Sequence, residues 1–281
     1  MAGSLSNSWN LVKASTEVLR LDRELLVFPL LSGIATILVM VSYFGPIGML
    51  GGWELLDAES GGYLSTVILF GFYLIQYFVI FFFNTALVGA ALIRMEGGDP
   101  TVSDGMRIAW DRLPAILGYA AVAATVGMLL RTLSERLGFI GRAVVGMLGI
   151  GWSLATYLTV PVLVSRDVGP IDAVKESAEL FRRTWGEQVV GNIGMGWATF
   201  MMAGSWTIIV AGMVAGAAAL GGGAVVLGPV LALSVLGYLA LGLFISALKG
   251  IYTAALYRYA STGDPGIMEA RVVEQAFRPK I

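Results

Sequence analysis

VKASTEVLR, residues 12–20, returns at residues 174–182 as VKESAELFR. Val, Lys, Ser, Glu and Arg recur at matching places, and both strings lie just before a long uncharged run. A third, looser version, MRIAWDRL at residues 106–113, stands before another such run. One unit used three times accounts for all of this: a charged amphipathic helix, then a pair of membrane-spanning helices.

Composition points the same way. Hydrophobic residues make up 57% and charged residues 13% of the 281, against about 25% charged in an ordinary soluble domain. Residues 188–248 run for 61 positions without a charge. About 20 apolar residues cross a bilayer, so this run reads as two spans folded back at Gly221, Gly222 and Gly223. A net charge of -1 leaves no basic field to attract nucleic acid, and no nucleic-acid partner is expected. There is no Cys, hence no disulfide and no thiolate nucleophile, and no His to act as general base, metal ligand or pH switch. Neither cofactor nor metal is therefore expected. Lys13, Arg20, Asp22, Arg23 and Glu24 stand where a cleaved signal peptide would carry its apolar core, so none is expected.

Taken in order, residues 9–23 read as the first surface helix, with Trp9, Val12, Thr16 and Leu19 on one face. Span one covers residues 25–45 and ends at Gly45-Pro46. The loop to Gly62 carries Glu54, Asp57 and Glu59 and no basic residue. Residues 63–93 are uncharged for 31 positions, about 46 Å as helix, more than the roughly 30 Å hydrocarbon core. Span two must tilt or project. Thr101 and Asp104 have capping-box spacing at the start of the second surface helix, whose apolar face is Met106, Trp110 and Leu113. Span three is residues 114–130, and 131–142 form a polar link. Span four, 143–165, is kinked if Pro161 lies within it. The third surface helix carries the stripe Val174, Ala178, Phe181 and Trp185. Spans five and six follow, the last to about Arg258, and a C-terminal amphipathic helix over 266–280 turns Ala270, Val273 and Phe277 inward.

The ends of spans two and six also match: Ala90-Ala91-Leu92, Arg94 and Gly98-Asp99-Pro100 against Ala254-Ala255-Leu256, Arg258 and Gly263-Asp264-Pro265. The expected architecture is a single all-α transmembrane domain over 1–281, with six transmembrane helices as three parallel repeats at about 5–100, 101–168 and 169–265. Fourteen Lys and Arg fall on the side of both termini, and only Arg131, Arg136 and Arg142 on the other. The positive-inside rule then places both termini in the cytoplasm, in the cell membrane.

Counting nine residues back from the arginines that close spans two, four and six lands on Thr85, Tyr157 and Lys249. That is about 13 Å along the helix, near mid-bilayer if the arginines mark the interface. A Lys there would be a site for an anion or a lipid head group. The competing reading is that span six is long, its last turns stand in the cytoplasm and Lys249 snorkels to the interface; this one is preferred. Gly212 and Gly216 form a Gly-xxx-Gly pair that lets another helix come close, with packing inside the subunit preferred over dimerisation. Asn192 and Gln76 read as interhelical hydrogen bonders or as cavity lining. The amphipathic helices carry mixed rather than basic charge, so packing against their own spans is preferred over targeting to anionic lipid.

Catalytic motifs fail on inspection. Gly151-Trp152-Ser153 has Ala155 where a nucleophile elbow needs Gly. Gly191, Gly194 and Gly196 lie inside an expected span rather than between a strand and a helix. No Asp or Glu falls within any expected span. A carboxylate-only enzyme at the interface would rely on Glu96, Asp99 or Asp264, although Asp before Pro at a helix start is more often turn and cap.

At SNSWNLVKAS, LRLDRELLVFPLLSG and DAVKESAELFRRTWG the chain resembles a family of prokaryotic six-helix membrane proteins known only as a domain of unknown function. The most specific part is Ser8-Trp9 with Leu21-Asp22-Arg23-Glu24-Leu25 and Pro29. The resemblance implies bacterial or archaeal origin and residence in the cytoplasmic membrane, and transfers no activity. The expected function is a non-enzymatic membrane scaffold or assembly subunit, packing with itself, membrane lipid or a membrane-protein partner. The alternatives are a channel or transporter for a small or anionic solute, lined by Thr85, Tyr157 and Lys249, and an interfacial lipid-modifying enzyme.

Overall fold

A computed structural model describes residues 2–52, 62–185, 196–219, 221, 223–264 and 266–268. Ten α-helices follow one another: α1 Ala2–Leu21, α2 Val27–Met49, α3 Gly62–Met95, α4 Val102–Asp111, α5 Leu113–Arg136, α6 Phe139–Ala155, α7 Thr159–Ser165, α8 Pro170–Trp185, α9 Gly196–Ala219 and α10 Ala224–Thr262. A 3-10 turn, Arg23–Leu26, joins α1 to α2. Among the described residues six segments are long and apolar enough to cross a membrane, with α6 and α7 together forming the fourth. By length and composition this is a multi-pass membrane protein. The acidic loop residues Glu54, Asp57 and Glu59, Asn192 with Gly191 and Gly194, and the C-terminal helix beyond residue 268 lie outside the described residues.

Side-chain bonds fix the register of the hairpins. Gln76 Nε2 donates to the Thr36 carbonyl at 3.3 Å and Tyr43 Oη to the Ile68 carbonyl at 2.6 Å, holding α2 antiparallel to α3. Eight residues further from Thr36 and Gln76, Phe28 stands opposite Asn84. Tyr238 Oη donates to Thr207 Oγ1 at 2.9 Å between α10 and α9, and eleven residues on, Gly196 stands opposite Lys249. α2 thus begins where α3 still has several turns to go, and α10 runs on for 13 residues past the level of Gly196, the first described residue of α9. Those overrunning turns are the core of the molecule.

Buried in these turns and in α7 are residues 85–91 of α3, Thr159, Val160, Pro161, Val162 and Leu163 of α7, and Ala247, Leu248, Gly250, Ile251, Tyr252 and 254–257 of α10, among others. The three inner helices contact one another there. Around them α4 packs on α3, α8 on α5, α6 and α7, and α1 on α9 and α10. We call this the capped end and the opposite one the hairpin end. Small residues let the helices approach. A Cβ on Gly105 of α4 would lie 2.7 Å from the Ala86 carbonyl oxygen, and Gly89 of α3 receives the side chain of Ile108.

Several boundaries depart from the sequence expectations. α2 runs through Pro46, because the missing N–H removes one bond with less than a turn of helix left. α5 continues past Leu130 to Arg136, the extra turns held by an Arg131 Nε–Glu135 pair at 2.8 Å and an Arg131 Nη1 bond to Tyr73 Oη at 2.9 Å. Pro161 does more than kink span four: α6 stops at Ala155 and α7 restarts at Thr159, since the proline ring cannot accept the carbonyl of Tyr157. No described residue comes within 4 Å of where a Cβ on Gly212 or Gly216 would stand, and the close approach of α9 to α10 is made at Gly237, where the Trp206 ring leaves no room for a Cβ.

The inward faces of the surface helices sit one residue N-terminal to the expected stripes. α1 buries Leu11, Val12, Ser15, Val18 and Leu19 and leaves Trp9 48% exposed. α4 buries Gly105 and Ala109 and leaves Trp110 61% exposed, while α8 buries Ala173, Ser177, Leu180 and Phe181. Each face is centred on a small residue because the helix axis must come close to an inner helix. Ser177 also repairs the break at Pro161, since its Oγ accepts the Leu158 N–H at 2.9 Å, a donor which that break sets free. Ser15 Oγ is equally buried with no hydrogen-bond partner among the described residues, facing an uninterrupted α10. Orphaning a buried N–H costs about 1–3 kcal/mol, so Ser177→Ala should lower the thermal midpoint in detergent while Ser15→Ala leaves it unchanged or raises it.

Candidate functional site

Two places concentrate polar chemistry, and both lie at the capped end. The first is a set of ion pairs where each inner helix meets the following loop. Asp22, only 5% exposed, receives Arg94 at 3.4 Å, and the same guanidinium holds Asp99. Asp22 Oδ1 also accepts the Glu24 N–H at 3.2 Å, and Glu24 Oε2 accepts the Val102 N–H at 3.0 Å, tying the 3-10 turn to the start of α4. Arg258 pairs with Asp264 at 3.2 Å and Glu96 at 3.6 Å. Arg112 reaches Asp167 at 2.7 Å, and Arg166 reaches Glu176 at 2.9 Å. The expected Thr101–Asp104 capping box is present.

These contacts bear directly on Glu96, Asp99 and Asp264. Each carboxylate is committed to an arginine that closes an inner helix, and Asp264 Oδ1 also accepts the Gly266 N–H. That bond and Arg258 hold Asp264 below the ordinary carboxylate range, as the Thr101 hydroxyl and N–H do for Asp104. Asp22 moves the other way: burial raises its pKa, against the lowering effect of Arg94.

The second place is a cavity of about 190 Å³ between α2, α3 and α10, lined by Lys249, Asn84, Ser32 and Ser246 with Phe28 and Phe83 among its apolar walls. Lys249 is exposed here, on the face of α10 opposite the buried Ala247 and Ile251. The other two members of the expected polar set are elsewhere. Thr85 is fully buried, and Tyr157, in the break between α6 and α7, packs its ring against Phe181 at 6.0 Å. Neither lines the Lys249 cavity. Asn84 is level with the first residues of α2, and Lys249 with Gly196, the first described residue of α9. Asn84, Ser32 and Ser246 give no signal in the sequence, because neutral side chains in an apolar run carry no pattern of their own.

Gln76 makes the interhelical bond expected of it. Among the described residues no group of three or more His, Cys, Asp or Glu is placed to hold a metal ion.

The Asp22–Arg94 pair yields a test. Arg94→Met leaves a buried carboxylate uncompensated, whereas Asp22→Asn removes the charge as well, so the first should destabilise more at pH 7. Without Arg94, the Glu24 N–H is left to oppose the effect of burial on Asp22, and its folded-state pKa rises further above the unfolded value near 3.9. The penalty then applies where the unfolded chain is ionised and fades as pH falls toward that value. Melting of Arg94→Met in detergent should therefore approach wild type on acidification from pH 7 to pH 4.5.

No curated protein and no solved structure matches the chain. A family match does exist, over residues 63–267. It contains VKESAELFR and most of the inner-helix core, and leaves α1, α2 and the Ser8-to-Pro29 stretch outside. The chain belongs to this family, a family of unknown function designated DUF6159.

Proposed function

We propose that the protein is a non-enzymatic scaffold or assembly subunit of the cytoplasmic membrane, built from three parallel units arranged around an axis along the membrane normal. The observation that carries this is the filled axis. Where α3, α7 and α10 meet, Ala86, Leu87, Leu158, Val162, Leu248 and Ile251 are all buried. Lys249 points away from that axis, so the polar set that a conducting path would need is dispersed. An interfacial enzyme would draw on Glu96, Asp99 or Asp264, which are already held by arginines.

Three observations support the repeat. Eight of the nine positions in VKASTEVLR and VKESAELFR share a burial class, the exception being Val12 against Val174. Each amphipathic helix seals the hairpin before it, α4 the first and α8 the second, while α1 seals the third from the opposite end of the chain. A left-handed glycine follows α3 at Gly97 and α10 at Gly263, with φ of 87° and 79°. The compact unit is therefore a hairpin plus the helix after it, one element out of step with boundaries at 100 and 168, and α1 closes the ring.

Eleven Lys and Arg among the described residues, from Lys13 to Arg258, cluster at the capped end, and Arg131, Arg136 and Arg142 at the other. This bias favours a cytoplasmic capped end. Because the chain has no cysteine, single replacements report cleanly. Lys13→Cys and Arg183→Cys should be labelled only from the cytoplasmic side and Gly138→Cys only from the outside; opposite faces for the first two would break the parallel-unit reading. Purified protein in liposomes should pass no more anion than empty vesicles, and measurable flux abolished in Lys249→Met would replace the scaffold with a transporter. A scaffold should also purify as a discrete oligomer or with a partner; a clean monomer without one counts against it.

A further inference from the structure

We propose that the Lys249 cavity binds the phosphate of an anionic phospholipid, taken laterally from the leaflet at the capped end. The groove's position, charge and shape carry this, independently of the scaffold reading.

Position comes from the hairpin registers. Asn84 is level with Phe28 near the start of α2, and Lys249 with Gly196 of α9. α2 follows the charged turn Arg23–Leu26 and enters the membrane at this height, which marks the boundary where lipid phosphates lie. The cavity is formed by the same three helices whose apolar surfaces continue toward the hairpin end, with Ile34, Ile37, Leu38, Ile75 and Leu239 exposed along them. An acyl chain has a path away from the site.

Charge comes from Lys249 alone. It sits within a stretch otherwise free of charge from Ala224 to Tyr257, and among the described residues no carboxylate forms an ion pair with it. With no described carboxylate on it, the Lys249 ammonium is placed to receive an anion. Around it stand an amide and two hydroxyls, Asn84, Ser32 and Ser246, all able to donate to phosphate oxygens. Phe28, Pro29 and Phe83 wall the other side. A volume of about 190 Å³ suits a phosphate and its glycerol and is too small for a whole lipid. An amphiphile with its anionic head on the lysine and its tails in the bilayer meets these conditions. A soluble anion would leave the apolar wall without an occupant.

Native mass spectrometry of the full-length protein in mild detergent, titrated with phosphatidylglycerol or phosphatidylcholine, reads the site directly. Wild type should retain one phosphatidylglycerol at least tenfold more tightly than phosphatidylcholine, and Lys249→Met, which keeps the aliphatic stem, should lose most of that preference. Lys249→Arg should keep it, and Ser246→Ala should weaken it a few-fold. Thermal midpoints with each additive supply a second reading, with inorganic phosphate as the free-anion arm. Retention of the preference in Lys249→Met overturns the site, as does equal binding of the two lipids. A phosphate effect as large as that of phosphatidylglycerol overturns the lipid assignment.

Discussion

The structure depends on a mismatch of length. α3 has 34 residues and α10 has 39, while α2, the hairpin partner of α3, has 23. About ten apolar residues of α3 therefore extend past the start of α2, and α10 runs 13 residues past Lys249, to Thr262. In water that surface costs about 25 cal/mol per Å², so something in the chain must bury it. α1, α4 and α8 do so, and their amphipathicity follows: one face on the overrunning turns, the other, with Lys13, Glu17, Lys175 and Glu179, toward solvent. The result is a core packed like that of a soluble protein, standing on a membrane bundle whose remaining surface is left to lipid.

The ion pairs become intelligible on the same ground. Arg94, Arg166 and Arg258 end the overrunning turns, and each finds its carboxylate in the loop or helix that follows. Cations near a helix C-terminus also meet the negative end of its dipole. Surface pairs of this kind contribute little each, about 0–1 kcal/mol. Their larger effect is to set the direction in which the chain leaves the inner helix, and so where the next amphipathic helix lands. Asp22 is the exception, because it is buried: its carboxylate depends on Arg94 for compensation, which ties the end of α1 to the end of α3.

Much of this is legible in the sequence, and the departures share a cause. Span count, the Pro161 interruption, the capping box and the arginine-ended inner helices follow from charge-free runs and turn residues, which are local properties. The inward faces of α1, α4 and α8 lie one residue away from their bulkiest stripes, because Trp9, Trp110 and Val174 outweigh Ser15, Ala109 and Ser177 in any hydrophobic count. Close helix approach rewards smallness, so the centre of each contact carries its least hydrophobic residue. At Gly212 and Gly216 smallness permits approach without requiring it. What decides at Gly237 is Trp206 on the other helix, and no property of residue 237 announces it. The Lys249 cavity is half legible: a lone charge is visible in an apolar run, but its neighbours come from α2 and α3 and need the register of two hairpins.

The weakness of the repeat in sequence has a structural explanation of its own. Counted from the closing arginines, Gly89, Pro161 and Thr253 occupy one position in the three inner helices. The three residues serve their helices in different ways. Gly89 removes its side chain so that Ile108 can lie on the helix. Pro161 breaks the helix and exposes the Leu158 N–H, which Ser177 then satisfies. Thr253 keeps α10 whole and returns its hydroxyl to the Lys249 carbonyl at 2.8 Å, leaving Ser15 with nothing to accept. Ser15 and Ser177 keep their identity at the contact but meet different backbones, while Val18 and Leu19 become Leu180 and Phe181 beside them with the same burial. A repeat under such constraints stays most recognisable on its solvated face, where Lys13 and Lys175, Glu17 and Glu179, and Arg20 and Arg182 agree, and on the packing face it holds the burial pattern more closely than the residues.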